Sequence, residues 1–386
     1  MKLKQGFRLW FFLPLALFSG CRINVTNIEY IGAYENTRWI QVIDDPARSA
    51  VRITNVGQND AAIYGLKLNN GGFFMGPADI LNEVYNMEDV TPGEPYEKKL
   101  WRFVVENRYH FDPYSSAAWQ HDPVLFFNSI GFGYCDDAAS VYSKLAAYAG
   151  YQSRVWYLSG HVVPEVNAQN RWQMLDPDLE VYYLRPDGSI AGVSELAADP
   201  TLITNPVNPI LPPDNWAYNQ AVADIYASTE DNSIDSENGI ESSTQGFLIV
   251  LPLKASIVFP GIFTPEVRSE SGSSVPEYAN LKLVLPAGWQ GPLPGGLVIT
   301  SIRGIGNVII DGAELPIGSP AVDAALNDRS RPITEISVAS SLSDIEVIYL
   351  INRKRITLDY TNVIDLAASA QLLVSNEVLP EENQLR

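Results

Sequence analysis

Hydrophobic and polar positions change their period several times along the chain. Trp39-Ile40-Gln41-Val42-Ile43 and Ala50-Val51-Arg52-Ile53-Thr54 are β-rich and are bounded by Asp-Asp-Pro and Asn-Val-Gly turns, so short strands are expected up to about Asn70. Asn69-Asn70-Gly71-Gly72 breaks that run. From Pro95 the spacing becomes helical: Leu100, Phe103 and Val104 form an apolar stripe, with Lys98 and Lys99 toward water. Residues 112–129 are irregular and aromatic. Then Ala138, Ala139, Tyr142, Leu145, Ala146 and Ala149 share one helical face. Gly150 stands where a helix-terminating glycine belongs.

Three strand-like segments follow: Arg154-Val155-Trp156-Tyr157-Leu158, His161 to Val166, and Arg171 to Asp176. Asn167-Ala168-Gln169-Asn170 reads as the hairpin turn between the last two. A proline-rich stretch at 205–213 and a helix around Tyr218 to Tyr226 come next. Ser228 to Gln245 has almost no apolar residues and reads as a polar linker. Beyond it, runs such as Phe247-Leu248-Ile249-Val250-Leu251, Leu281-Lys282-Leu283-Val284-Leu285, Gly296 to Thr300, Val308 to Ile310 and Ile345 to Leu350 are separated by Pro/Gly turns. That spacing predicts a β-sandwich-like module. The predicted class is α+β. The predicted division is a leader (1–20), a β-rich segment (21–90), a helix-and-sheet domain (91–227), a linker (228–245) and a β domain (246–386).

Composition narrows the function. Apolar residues make up 46% and charged residues 18% of the 386, which is ordinary for a globular protein. The formal charge of −19 becomes about −22 once Lys2, Lys4 and Arg8 are removed with the leader. Such a surface repels nucleic acid and anionic lipid alike.

The leader has its own pattern. A basic head (Lys2, Lys4, Arg8) precedes an apolar run from Leu9 to Phe18 that is broken only by Pro14. This is the design of a secretory signal, too short to span a membrane stably. Leu17-Phe18-Ser19-Gly20-Cys21 resembles the lipobox of bacterial lipoproteins, which implies cleavage before Cys21 and a diacylglycerol on its sulfur. Arg22, where an inner-membrane protein of that kind has aspartate, points by the same resemblance to the outer membrane. With Cys21 lipidated, Cys135 is the only thiol left and no internal disulfide forms. A lone thiol in an oxidising compartment calls for a reason; the bland one is burial as a small hydrophobe.

Cys135 is placed for chemistry. Gly131-Phe132-Gly133-Tyr134 leads into a helix beginning at or near it. Unpaired N–H groups and the macrodipole there favour a thiolate. A hairpin turn centred between Ala168 and Gln169 sets His161 directly opposite Asp176, with Cβ atoms about 5 Å apart. The aspartate then fixes the histidine tautomer, and the histidine exchanges the thiol proton. The bland reading is a core histidine satisfied by a buried aspartate.

Three blocks carry a family resemblance. They are Gly133-Tyr134-Cys135 with the helix to Gly150, Gly160-His161-Val162-Val163-Pro164-Glu165-Val166, and Trp172-Gln173-Met174-Leu175-Asp176-Pro177. Together they resemble the transglutaminase-like superfamily over roughly residues 96–178. Pro164 departs from the pattern; a proline there implies an edge or bulged strand. The resemblance implies a papain-like core, with Cys135 as nucleophile, His161 as acid/base and Asp176 as its orienter. The chemistry it implies is a thioester made from an amide, then resolved by an amine or by water. The Cys135 backbone N–H is one oxyanion donor, and Trp119, Gln120 and Asn128 are candidates for a second.

No cofactor or metal is expected. Three histidines and one free thiol make a poor structural zinc set, and Asp176-Pro177-Asp178 with Glu180 lacks a calcium-loop pattern. His110 and His121 read as ordinary loop residues. The function these readings imply is an envelope-anchored cysteine enzyme acting on amide bonds of peptides, peptidoglycan stems or polymer-associated substrates, hydrolytic rather than cross-linking. The alternative is a non-catalytic envelope lipoprotein that binds a protein or polysaccharide partner.

Overall fold

A helix-and-sheet unit is set, in sequence, between strands of a β module: Ile40–Asp45 and Ala50–Asn55 precede it and the module's other strands follow it, while Gln371–Ser375 pairs with Ala61–Leu68 in a separate sheet. The computed structural model describes residues 40–45, 50–55, 61–68, 71–74, 76–228, 233–235, 249–251, 254–260, 279–352 and 371–375. The leader and Cys21 lie outside the described residues. Among the described residues, no helix is long and apolar enough to cross a membrane. The class is mixed helix and sheet, α+β.

The helical unit centres on Cys135–Tyr148, which buries Ala138, Ala139, Tyr142, Leu145 and Ala146, the face read from the sequence. It ends as Gly150 takes a φ of +90° and Tyr151 N–H donates to the Ala146 carbonyl. Pro77–Asn86, which the strand pattern did not anticipate, and Tyr96–Asn107 pack with it. Phe103, Phe126, Phe127 and Tyr142 are fully or almost fully buried in the shared core. Residues 112–129 are less irregular than their composition implied. They contain a 3₁₀ turn at Ala118–His121 and a short helix whose start is capped by Asp122, and they lead into a π-helical turn at Phe126–Ile130.

The sheet behind the helix runs Ser233–Asp235, Gln152–Leu158, His161–Ala168, Arg171–Met174, all antiparallel. The polar stretch 228–245 therefore contains a strand that extends this sheet. The hairpin closes through Gln169 and Asn170, with φ of 55° and 58°, so Ala168 pairs with Arg171. This is a two-residue turn of the kind favoured between twisted strands, and its centre falls one residue later than the sequence reading put it. The His161 strand is interior rather than an edge, and its register with the strand before it is unbroken. Its other ladder ends at Glu165–Met174. From Pro164 back to His161 that side is open, which is how an interior strand accommodates the proline.

The β module holds a six-stranded sheet in the order Ile40–Asp45, Ala50–Asn55, Ser256–Pro260, Ala279–Leu285, Ile345–Ile351, Val298–Arg303. The first two of these strands, from the segment expected at 21–90, join strands beyond residue 255 in one sheet. A four-stranded sheet of Gly291–Pro292, Ile336–Ser341, Gly306–Ile310 and Ala313–Pro316 shares a core with it. Leu283, Val347, Val308, Val338 and Val322 meet there. The two units join tightly. Leu350 packs with Tyr109, Ile130 and Phe132, Asn352 donates to the Asn107 carbonyl at 2.8 Å, and Ser129 Oγ donates to the Leu350 carbonyl at 2.7 Å.

Candidate active site

The helix that begins at Cys135 is started by its own acids. Asp137 accepts the Tyr134 backbone N–H at 2.9 Å, and Asp136 joins it in the first turn. The carboxylate of Asp137 lies so close to Gly133 that a Cβ there would sit 2.3 Å from it. The glycine two residues before Cys135 is thus required by the helix start. Gly131, at φ +67°, is packed on Asn352 of the β module, whose side chain would meet a Cβ at 2.2 Å. Cys135 itself is a free, partly exposed thiol.

His161 is 6% exposed, and its Nε2 is 2.7 Å from Asp176 Oδ2. The hairpin register differs from the expected one by two positions. That shift preserves which side chains face which side, and the chain after Met174 turns Asp176 back toward the histidine. With Nε2 held by the aspartate, Nδ1 is the nitrogen left for the thiol. Burial works against the imidazolium, but the Asp176 carboxylate and then Cys135 outweigh it, and His161 is pushed up to about 10.

Asp176 is fully buried and saturated. Oδ1 accepts the backbone N–H groups of Asp178 and Leu179 at 2.8 and 3.0 Å, and Oδ2 accepts the Tyr226 hydroxyl at 2.5 Å besides meeting His161. Trp101 Nε1 donates to its backbone carbonyl at 2.8 Å. Tyr226 comes from the Gln220–Ala227 helix, and nothing in the local sequence marks it for this role.

A second carboxylate stands beside the first group. Asp178, Cys135 and His161 each offer one donor atom, and these atoms lie within 4.8 Å of one another. Asp178 Oδ1 meets Arg108 Nη2 at 2.7 Å and His110 Nδ1 at 2.8 Å. Burial opposes the charge on Asp178, yet His110 and Arg108 together hold its carboxyl below the ordinary range. Arg108, 4% exposed, also donates to the Pro177 and Gly133 carbonyls at 3.1 Å each. It ties the loop before Cys135 to the loop after Asp176. His110, read as an ordinary loop residue, is part of this clamp. The sequence signal was available in the proximity of Asp178 to Asp176, whereas Arg108 carried none.

No protein-family model, curated protein or solved structure matches this chain. The site therefore rests on its own geometry.

The three residues considered as a second oxyanion donor are engaged elsewhere. Gln120 Nε2 donates to the Phe132 carbonyl at 3.3 Å, Asn128 Nδ2 to the Phe74 carbonyl at 2.9 Å, and Trp119 Nε1 to the Arg329 carbonyl at 3.1 Å. His121 sits apart from the thiol group, 3.3 Å from Asp137 Oδ1. Glu165 of the resembling motif is structural. It is fully buried, accepts Trp156 Nε1, Arg154 Nε and the Val193 N–H at 2.6 Å each, and anchors Arg154 where that guanidinium stacks on Trp172.

A cavity of about 810 Å³ opens between the two units. Tyr114, Trp119 and Leu125 line one side and Leu293, Leu297 and Arg331 the other; neither Cys135 nor His161 reaches it.

Proposed function

We propose that the protein is a transglutaminase-like cysteine enzyme acting on amide bonds, with a papain-like core. The observation that carries this reading is the grouping of Cys135 with His161, whose Nε2 lies 2.7 Å from the saturated, buried Asp176. Cys135 attacks the amide carbonyl carbon, forming a C–S bond, and its backbone N–H, at the open start of the helix, donates to the oxyanion. His161 gives its proton to the leaving nitrogen as the C–N bond breaks. Water then attacks the thioester and gives a proton to His161, and the C–S bond breaks to return the thiolate. The acceptor in this reading is water, hence hydrolysis rather than cross-linking. The leader pattern supports a lipid anchor at Cys21 and a place in the bacterial envelope, on the outer membrane, among peptides, peptidoglycan stems and exported polymers.

The test is trapping of the acyl group. A panel of peptide amides and peptidoglycan stem peptides is incubated with hydroxylamine. A hydroxamate and the freed amine are expected from the full chain, and neither from Cys135→Ala. Equal product from Cys135→Ala would remove the thiol from the mechanism. The interdomain cavity favours a second reading, an envelope protein that binds a partner there; it predicts ligand binding untouched by Cys135→Ala.

A further inference from the structure

The donor set around Cys135 is wider than a proton relay needs. A thiol sulfur, an imidazole nitrogen and a carboxylate oxygen, carried by three separate segments, converge within 4.8 Å. Tetrahedral zinc, with bonds of about 2.0–2.3 Å, holds its donors about 3.5 Å apart. The three groups thus need to close by no more than about 1.3 Å.

Two of the donors already have the outer partners that orient metal ligands. His161 Nε2 is fixed by Asp176, leaving Nδ1 free to ligate. Asp178 Oδ1 is held by Arg108 and His110, which orients the carboxylate that belongs to the donor group. Charge fits as well. Once the His161 proton has left, a thiolate with the Asp176 and Asp178 carboxylates, set against the Arg108 guanidinium, leaves two negative charges that a divalent ion neutralises.

We propose that Cys135, His161 and Asp178 form an inhibitory Zn²⁺ site with water in the fourth position. The sulfur, Nδ1 and a carboxylate oxygen bond the ion, and the proton that the thiol–imidazole pair carries leaves to solvent. No electron moves. Bound zinc takes the sulfur lone pair that a nucleophile needs. The site depends on donor geometry, and its readouts are metal binding and thiol protection, so it stands or falls apart from turnover; the inhibitory role alone rests on the proposed function.

The experiment uses the full chain carrying Cys21→Ser, so that Cys135 is its single thiol. Zn²⁺ is titrated while alkylation of Cys135 by iodoacetamide is followed. The expected result is at least tenfold protection at one equivalent, with Asp178→Asn raising the zinc concentration needed at least tenfold. Co²⁺ added alone should give thiolate-to-metal charge-transfer absorption, lost in Cys135→Ala. His121, Asp136 and Asp137 form the other metal-capable group among the described residues. His121→Ala should therefore leave protection unchanged. No protection in the parent chain, undiminished protection in Asp178→Asn, or protection abolished by His121→Ala would each overturn the assignment. Absence of a charge-transfer band would do so without any variant.

Discussion

Asp176 places both carboxylate oxygens against two partners each, and one of those partners is the ring that faces the thiol. Breaking one half of such a buried pair leaves an uncompensated polar group, at a cost of about 3–5 kcal/mol. The pair also makes stability depend on pH. His161 is raised in the fold, to about 10 from the ordinary 6.5. Its stabilisation is therefore fully present below pH 6.5 and is lost as pH rises toward 10. Urea unfolding of the full chain and of His161→Gln at pH 6, 8 and 10 checks this. The stability gap between them should shrink step by step with rising pH; a gap that stays level over that range contradicts the assignment.

At the scale of elements, the loop before Cys135 is fixed from outside its own unit. Gly131 combines a left-handed φ with a side chain that leaves no room for a Cβ. Gly131→Ala should destabilise the protein by about 2 kcal/mol or more, combining backbone strain with overpacking. Adding Asn352→Ala should recover only the steric part, since the strain belongs to the backbone. A double-mutant cycle by denaturant unfolding separates the two; additive losses would place Asn352 away from the loop. The helix from Cys135 was readable because its apolar face and terminal glycine agree. The hairpin was readable in kind and off by one residue in its turn, because Gln169 carries no glycine-like signal for a positive φ. Tyr226, Arg108 and Asn352 reach the site region only through tertiary packing, which no local pattern encodes.

The molecule as a whole is less divisible than its sequence implies. Composition shifts at 228–245 mark a polar stretch, yet Ser233–Asp235 pairs with Val155–Tyr157, and the strands at 40–55 complete a sheet built mainly from residues beyond 250. Strand partners so distant in sequence leave no periodic trace along the chain. A chain truncated after Gln245 exposes Ile130, Phe132 and Tyr109, which Leu350 otherwise covers. It should lose the cooperative thermal transition of the full chain; an unchanged transition would show that the helical unit folds alone.

The reading of the whole protein turns on whether Cys135 is activated by its neighbours. The direct measurement is the rate of iodoacetamide alkylation at pH 6, in full-length Cys21→Ser and in the same chain with His161→Ala. Fast modification is expected in the first and a rate at least tenfold lower in the second. Equal rates in the two chains would contradict that activation and leave Cys135 a thiol of ordinary reactivity.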